Sequence, residues 1–278
     1  MTNMKWIVCM VLALGVTGCS TAPTESLGEF RETVYIEGFL QANNAVSDLF
    51  VGTTMPLSDV YDRDASSLSD ALVIIEVDGA SHTLLPMASK PGHYHQPDLI
   101  VESGKTYYLS VTTGLGVATA QTTVPISPEV LGATTLLIGG DPYQVGWAGE
   151  TKGGYVTTRK SMELSEQIPL QNQFGGRRFG GGFGGAFDTT GLGAVRDSIA
   201  RADQWRFMQG SSLTLNQRQF TYYGTYAFLV YTLDENYGDF LISSQQDEAS
   251  LDEPRFHVIG GIGLFASMAA DSVVFRVE

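Results

Sequence analysis

The sequence predicts an all-β protein of two β-sandwich-like units, the first immunoglobulin-like and the second containing one short helix. Short segments in which apolar and polar residues alternate recur along the chain, with turn-forming residues between them. Hydrophobic residues make up 43% and aromatic residues 10% of the chain, which favours a packed core over disorder. One segment alone has convincing helical spacing. Together these observations indicate strands packed face to face.

The first residues have the features of a secretion signal. Lys5 supplies a positive charge, and an apolar run follows from Trp6 to Val16. This run has the length of a signal-peptide core and is too short for a membrane span, which needs about 20 residues. We therefore predict a signal peptide over residues 1–18.

A cysteine follows the apolar run in a context that resembles the lipobox of bacterial lipoproteins. The motif is Val16-Thr17-Gly18-Cys19, in which small residues precede the cysteine that becomes acylated. Ser20 follows in place of Asp, which favours the outer membrane over retention in the inner membrane. We predict Cys19 as the lipid anchor and residues 19–32 as a solvated tether. The alternative is an ordinary signal peptide or N-terminal anchor with a chance cysteine.

Residues 33–126 are predicted to form the first sandwich. The segment Thr106 to Thr112 illustrates the pattern, because its alternate apolar residues fall on one face of a strand. The pair Asp78-Gly79 is the signal of a tight hairpin. Seven strands in about 95 residues are typical of an immunoglobulin-like sandwich. The predicted strands cover residues 34–40, 49–54, 71–77, 81–86, 93–100, 106–112 and 117–124.

Residues 127–278 are predicted to form a C-terminal β-rich domain, either independent or an extension of the first sheet. A glycine-rich loop occupies residues 174–187, and helical spacing of apolar residues then predicts a helix from Leu192 to Trp205. The predicted strands of this half cover residues 155–159, 164–170, 212–223, 226–232, 260–267 and 272–277.

The glycine-rich loop reads FGGRRFGGGFGGAF and resembles segments that bind RNA. A secreted chain meets no RNA, and a net charge of −14 disfavours binding to phosphate backbones, so we predict no nucleic-acid partner. The simplest interpretation is a mobile loop. The alternative is a segment that binds a protein partner, with buried phenylalanines and carboxylate-pairing arginines. The candidate partner-binding residues are Phe174, Arg177, Arg178, Phe179 and Phe183.

Positive charge is concentrated in one part of this acidic chain. Residues 159–218 contain eight of the 16 basic residues but only five of the 30 acidic residues. A locally basic region therefore lies on an acidic protein. Its basic residues are Arg159, Lys160, Arg177, Arg178, Arg196, Arg201, Arg206 and Arg218.

No pattern in the sequence assigns a catalytic role. The motifs HExxH, GxSxG and CxxC are absent. His93 and His95 lie on one face of a predicted strand, and His82 is a candidate on a neighbouring strand, which makes them weak candidates for a zinc site. An exposed strand face is the simpler interpretation. We therefore predict no enzyme, no cofactor and no metal.

Five segments carry a resemblance to a known family: YIEGFL, SDALVIIEVDG, PGHYHQPDLIVESGKTYYLSVTT, ATAQTTVP and VIGGIGLFASMAADSVVFRV. They resemble the Bacteroidota lipoproteins of domain of unknown function 4249, over residues 33–126 and more loosely over residues 212–278. The resemblance implies an envelope lipoprotein, often encoded near TonB-dependent transporters. It implies no catalytic residue, and only Cys19 corresponds to a functional position.

These features lead to a functional hypothesis. We expect an outer-membrane-anchored lipoprotein that acts as a non-catalytic accessory or binding subunit with a TonB-dependent transporter. One alternative is a structural or adhesive lipoprotein of the cell envelope. The other is a hydrolase on a β scaffold, since acid–base pairs are not recognisable from sequence alone.

Overall fold

Strands dominate the computed structural model, which describes residues 30–56, 58–131, 136–137, 142–167, 205–216, 219–220, 222–244 and 254–278. The predicted all-β, sandwich-like fold is confirmed. The first eight strands are β1 (Val34–Gln41), β2 (Ala45–Thr53), β3 (Leu72–Val77), β4 (Ala80–Thr83), β5 (Leu85–Pro86), β6 (His93–Ile100), β7 (Thr106–Thr113) and β8 (Gly116–Thr123). The later elements are β9 (Glu129–Leu131), β10 (Leu136–Leu137), β11 (Tyr143–Ala148), β12 (Tyr155–Gln167), β13 (Arg206–Met208), β14 (Ser212–Leu215), β15 (Tyr222–Leu233), α1 (Glu235–Ser244), β16 (Val258–Ile259) and β17 (Ile262–Val277).

The strands of the described ranges form three sheets. The main sheet has the order β13-β12-β15-β17-β1-β2-β6-β5, with β10 beside β17. A five-stranded sheet has the order β16-β8-β7-β3-β4, and a three-stranded sheet has the order β14-β11-β9. Both longer sheets end in short strands, β5 and β4, which leave little edge for unwanted strand pairing.

The first core fills the space between the main sheet and the five-stranded sheet. Alternate residues of β1, β2, β3 and β7 point into it, including the fully buried Ile36, Val51, Ile75 and Val111. Phe265 of β17 packs into the same core. The C-terminal strand therefore helps to complete the sandwich that the N-terminal strands begin.

Both longer sheets join strands from the two sides of the predicted boundary at residue 126. The parallel pairing of β1 with β17 runs from Tyr35 opposite Ile262 to Gln41 opposite Met268, and β16 pairs with β8. Residues Glu32 to Glu278 form one compact unit. That residues 33–126 and 127–278 are separate domains stays a prediction.

The second core lies between the main sheet and the three-stranded sheet. Its centre is aromatic, with Trp147 of β11 packed against Tyr155 and Phe228 of the main sheet. The opposite face of the main sheet carries a smaller cluster of Val156, Tyr231 and Leu233.

Several strands differ in extent from the sequence prediction. The segments predicted at 260–267 and 272–277 are one strand, β17, because the residues between them also pair with β15. The segment predicted at 212–223 is divided between β14 of the three-stranded sheet and β15 of the main sheet. The helix predicted from Leu192 to Trp205 lies outside the described residues except for Trp205, which is not helical.

The helix α1 begins where Asp234 caps it. The Asp234 carboxylate accepts a hydrogen bond from the backbone N–H of Tyr237 at 3.0 Å, which satisfies one of the free donors of the first turn. Gly238 lies against Gly153, and a Cβ on either glycine would overlap the facing backbone. Throughout the described part of the chain, helical segments fall short of the length and apolarity that a bilayer crossing requires.

Candidate functional site

A pocket opens at the edge of the second core and brings together two arginines from the basic region of the sequence. Its volume is about 420 Å³. We call it the arginine pocket. Its described lining residues are Thr157, Thr158, Arg159, Trp205, Arg206, Leu213, Gln219 and Phe228, with no Asp or Glu among them.

Strand register places both arginines on one face of the main sheet. Arg206 of β13 lies opposite Thr157 of β12, and Arg159 follows Thr157 by two residues. Because side chains alternate along a strand, Arg159 and Arg206 project from the same face. A diagonal pair of this kind has its backbones about 7–8 Å apart, within reach of one small ligand.

Arg159 is fixed by its surroundings. Its Nη1 donates a hydrogen bond to the Gln219 carbonyl oxygen at 3.0 Å, and its guanidinium carbon lies 4.8 Å from the centre of the Phe220 ring. Burial lowers the pKa of Arg159 from its ordinary value, and the like charge of Arg206 lowers it further. The pocket therefore places positive charges close together in a partly buried position.

The exposed Arg206 forms no ion pair with another described residue. Thr158 is 3% exposed, and its hydroxyl has no hydrogen-bond partner within the described residues. Because Thr158 lies between Thr157 and Arg159 in β12, its side chain points to the opposite face of the main sheet, where Val156 packs. Buried polar groups are usually satisfied, so this hydroxyl is an exception.

The predicted histidine site is a different arrangement. His93 Nδ1 contacts the carboxylate of Asp48, which also accepts a hydrogen bond from Lys90 Nζ at 3.1 Å. Burial raises the pKa of Asp48, but the hydrogen bonds from His93 and Lys90 outweigh this effect and hold it below its ordinary value. His95 faces Leu85 of β5 across the strand pair, whereas His82 lies in β4 of the five-stranded sheet. Among the residues with assigned positions, no three His, Cys, Asp or Glu side chains cluster as metal ligands.

A groove of about 590 Å³ runs beside His93 and contains two carboxylates, Glu37 and Asp48. Each is paired with a cation, since Arg63 Nη2 lies 3.1 Å from Glu37 Oε2 and Lys90 lies beside Asp48. The Arg63 guanidinium also covers the ring of Phe50 at 4.1 Å. These contacts account for the charges of the groove as surface ion pairs.

The outer face of the five-stranded sheet is the third candidate. It consists of the outward-pointing residues of β3, β7, β8 and β16, and Glu76 is the only charged one. The others are Leu72, Ile74, Thr106, Tyr108, Ser110, Thr112, Val117, Thr119, Gln121, Thr123 and Ile259. Tyr108 is 51% and Ile259 77% exposed. A groove of about 680 Å³ between this outer face and α1 is lined by Tyr108, Asn236, Phe256, His257 and Ile259, among others.

The other candidate residues of the sequence analysis lie outside the described residues. These are Cys19, Phe174, Arg177, Arg178, Phe179 and Phe183, whose roles stay predictions. The sequence analysis did not predict that Arg159 and Arg206 lie in one pocket. The only signal for it in the sequence was the excess of basic residues over positions 159–218.

Two of the solved structures that resemble this chain are distant from it in sequence. A chain of a 1.5-MDa bacterial ice-binding adhesin is 10% identical, with 89% of this chain and 65% of the adhesin chain covered, at a TM-score of 0.20. Murine CEACAM1b is 9% identical, with 89% of this chain and 100% of that chain covered, at a TM-score of 0.22. Similarity this low says nothing about function.

The sequence itself is informative about family. No curated protein matches it. The profile of a family described as Domain of unknown function (DUF4249) matches residues 21–268, nearly the whole chain. The resemblance of the strand segments to domain of unknown function 4249 is thereby confirmed, whereas the lipoprotein character and the Bacteroidota source stay predictions, and the chain belongs to the DUF4249 family.

Proposed function

We propose that this protein is a non-catalytic binding subunit, held at the outer membrane through an acylated Cys19, that works with a TonB-dependent transporter. The observation that carries the proposal is the outer face of the five-stranded sheet. It is nearly uncharged on a chain whose net charge is −14. The lipobox-like sequence before Cys19 and the resemblance to envelope lipoproteins supply the location and the class of partner.

The composition of the outer face fits a protein partner. The solvated face of an antiparallel sheet is polar, and on so acidic a chain we expect its polar residues to include several charged ones. The centre of a protein interface is instead depleted of charge and enriched in tyrosine. Tyr108, Val117 and Ile259 are all more than half exposed on this face. Covering them with a partner removes apolar surface from water without burying an unpaired charge.

The predicted tether restricts where that partner is. Twelve residues separate Cys19 from Glu32, where the compact unit begins. A fully extended chain of this length spans at most about 40 Å. The folded unit therefore stays close to the membrane surface, which raises its effective concentration toward a membrane-embedded transporter.

The anchor is tested first. Replacement of Cys19 by Ala is expected to abolish labelling by a radioactive fatty acid and to release the protein from the membrane fraction. Ser20→Ala serves as the matched control and should leave both properties unchanged. Membrane retention of Cys19→Ala at the wild-type level would refute the lipid anchor.

The partner is tested by purifying the full lipidated protein from detergent-solubilised outer membranes, with mass spectrometry of what accompanies it. We expect a TonB-dependent transporter with the wild type, and its loss with the double variant Tyr108→Glu, Ile259→Glu. Val60→Glu is the control, because Val60 is 90% exposed and lies outside the outer face. A variant lacking residues 175–185 tests the glycine-rich loop separately. If wild type recovers no transporter, the structural or adhesive alternative replaces the proposal.

A further inference from the structure

We propose that the turn between β7 and β8 inserts into a lipid bilayer with zwitterionic headgroups and so fixes the orientation of the folded unit. The contact consists of residues 113–116, with Leu115 at the tip, and of the neighbouring Leu72 at the start of β3. We call it the bilayer end. The inference rests on the proposed anchor at Cys19, and it adds an orientation that the proposed function leaves open.

The bilayer end lies where the folded unit begins, because β8 and β1 run in the same direction. Gly261 lies between the Val34 carbonyl oxygen and the Ala118 side chain, 2.8 and 3.2 Å from the position that a Cβ would take. Further along β8, the Thr122 hydroxyl is 2.6 Å from the Ser267 hydroxyl of β17, which is parallel to β1. The turn before β8 is therefore at the end of the sandwich where β1 starts. With Cys19 acylated, this is the end that the tether holds nearest the membrane.

The turn projects away from the protein and exposes a leucine. Leu115 is 46% exposed, and Leu72 is 49% exposed. A Cβ on Gly114 or Gly116 would meet nothing within 4 Å beyond its chain neighbours, so no other described residue covers the tip. An exposed apolar side chain gains free energy when it leaves water, and the boundary between headgroups and acyl chains takes up such side chains.

The turn also satisfies polar groups of its own backbone. The Leu115 backbone N–H donates a hydrogen bond to Thr113 Oγ1 at 3.1 Å, and the Thr113 hydroxyl donates one to the Gly116 carbonyl oxygen at 3.3 Å. Thr113 and Gly116 are paired in the β7–β8 ladder as well. Backbone groups without partners are costly in the hydrocarbon region, so these bonds lower the cost of entering a bilayer.

The opposite end of the five-stranded sheet is suited to water instead. Its two turns carry Asp78, Glu102 and Lys105, and Lys105 Nζ lies 2.8 Å from a carboxylate oxygen of each of the other two. By contrast, no charged residue occurs from Thr106 to Pro128, a segment that contains the whole β7–β8 hairpin. Because moving a charge out of water is costly, the uncharged end is the one suited to lipid.

The charge of the chain decides between kinds of bilayer. A net charge of −14 disfavours contact with an anionic leaflet, and Asp70 lies two residues before Leu72 at this end. We therefore expect zwitterionic headgroups. With the turn in the bilayer, β7 rises from the membrane and carries Tyr108 roughly 17 Å above Thr113. The outer face then points sideways, toward the proposed transporter.

The experiment measures the fluorescence of a thiol-reactive NBD group on the full lipidated protein in phosphatidylcholine vesicles, with nitroxide-labelled lipids as quenchers. The chain has two cysteines, Cys9 in the predicted signal peptide and the anchor Cys19, so an introduced cysteine is the free thiol of the mature protein. Leu115→Cys labels the bilayer end, and Ala80→Cys labels an exposed position at the opposite end. We expect a blue shift and quenching at position 115, typical of groups about 5–10 Å below the interface, and neither at position 80.

A second measurement tests the leucine itself, since the NBD group is apolar. The label is placed on Leu72→Cys, and Leu115→Asn is added. We expect Leu115→Asn to reduce quenching at position 72, because the tip then loses its apolar side chain. Leu85→Asn is the matched control, since Leu85 of β5 is 53% exposed and lies in the main sheet. It should leave the quenching unchanged, and thermal melts verify that both variants remain folded.

Quenching that is absent at position 115, equal at positions 115 and 80, or unchanged by Leu115→Asn would each overturn the proposal. Stronger quenching in vesicles that contain phosphatidylglycerol would also overturn it, because anionic headgroups would then attract the protein. NBD attached to Cys19, detected by mass spectrometry, would show instead that the proposed anchor is wrong. The Cys19→Ala chain labelled at position 115 is then added to vesicles, where a blue shift supports the bilayer end and its absence refutes it.

Discussion

The two hydrophobic cores of this protein differ in residue composition. Among the described buried residues of the first core, three of 22 are aromatic, and the other 19 are Val, Leu, Ile or Ala. Among those of the second core, six of ten are aromatic. A pocket of about 420 Å³ lies at the edge of the second core, beside the short three-stranded sheet. The comparison teaches that one main sheet supports an aliphatic core against the five-stranded sheet and an aromatic core against the three-stranded sheet.

The largest expected effect comes from Phe265, which is 1% exposed in the first core although it belongs to the C-terminal strand. Phe265→Ala should lower the free energy of unfolding by about 3–5 kcal/mol, the cost of a cavity in a close-packed core. Urea denaturation measures it. Phe228→Ala, in the second core and beside the pocket, should cost less because the cavity it leaves opens toward the pocket. If both variants lost the same free energy of unfolding, the two cores would respond alike to the loss of a buried ring.

The next effect concerns Asp234, whose contacts join the five-stranded sheet to the main sheet. Its carboxylate accepts a hydrogen bond from the Thr122 hydroxyl at 2.6 Å, and Thr122 is also 2.6 Å from the Ser267 hydroxyl. Asp234→Ala loses the helix cap and leaves a buried hydroxyl without its acceptor, so we expect a loss of about 2–3 kcal/mol. Thermal melts of Asp234→Ala and of the exposed control Asp98→Ala provide the measurement. A loss no larger than that of the control would contradict this role.

Asp234 also predicts an unusual pH dependence. Burial raises its pKa, and the hydrogen bonds from Thr122 and the backbone only partly offset this. An aspartate with a raised folded-state pKa holds its proton more tightly in the folded state, so its contribution to stability falls as pH rises through that pKa. The free energy of unfolding of the wild type minus that of Asp234→Asn should therefore increase as the pH is lowered toward 4. If this value decreased over the same range, the folded-state pKa of Asp234 would be lowered rather than raised.

The sequence pattern predicts the first core much better than the second for a physical reason. Strands β1, β3, β7 and β8 alternate regularly between buried and exposed residues, and the Asp78-Gly79 turn is confirmed by positive φ angles of 52° and 78° at its two residues. Alternation is a local property, so it is visible in the sequence. The helix α1 was missed because it is short and contains Gly238, a weak helix former, whose close approach to Gly153 is a long-range contact that the sequence does not show.

The candidate site escaped prediction for the same reason. Composition identified a basic region, but only the register of β12 against β13 places Arg206 near Arg159. Sequence spacing gives no register between strands separated by a long connection. Short strands such as β9 and β13 were also missed, because three residues are too few to show a period.

A smaller effect is expected at Trp147, at the centre of the second core. The indole N–H of Trp147 is buried, with no hydrogen-bond acceptor in the described residues. Trp147→Phe removes this unsatisfied donor along with one ring, so the gain and the loss nearly cancel. We expect a change in the free energy of unfolding below about 1 kcal/mol, well under the usual cost of removing a buried aromatic ring. A chemical denaturation curve decides it. A loss of about 3 kcal/mol or more would mean that the indole is as well accommodated as a first-core side chain.

The smallest effect lies outside both cores, in the ion pairs of Asp48 with His93 and Lys90. The Asp48 side chain is 41% exposed, so solvent screens these pairs and Asp48→Asn should cost only about 0.2–1 kcal/mol at pH 7. Because the folded-state pKa of Asp48 is lowered, its contribution is present above the ordinary aspartate pKa and is lost as pH falls through the folded value, opposite to Asp234. Added salt should reduce it further, since it weakens interactions between exposed charges. Unfolding curves of Asp48→Asn and the control Asp98→Asn, between pH 3 and 7 at low and high salt, measure both properties. A salt-independent loss above about 2 kcal/mol would show instead that this cluster behaves as a buried network, and the contrast between surface and core would have to be redrawn.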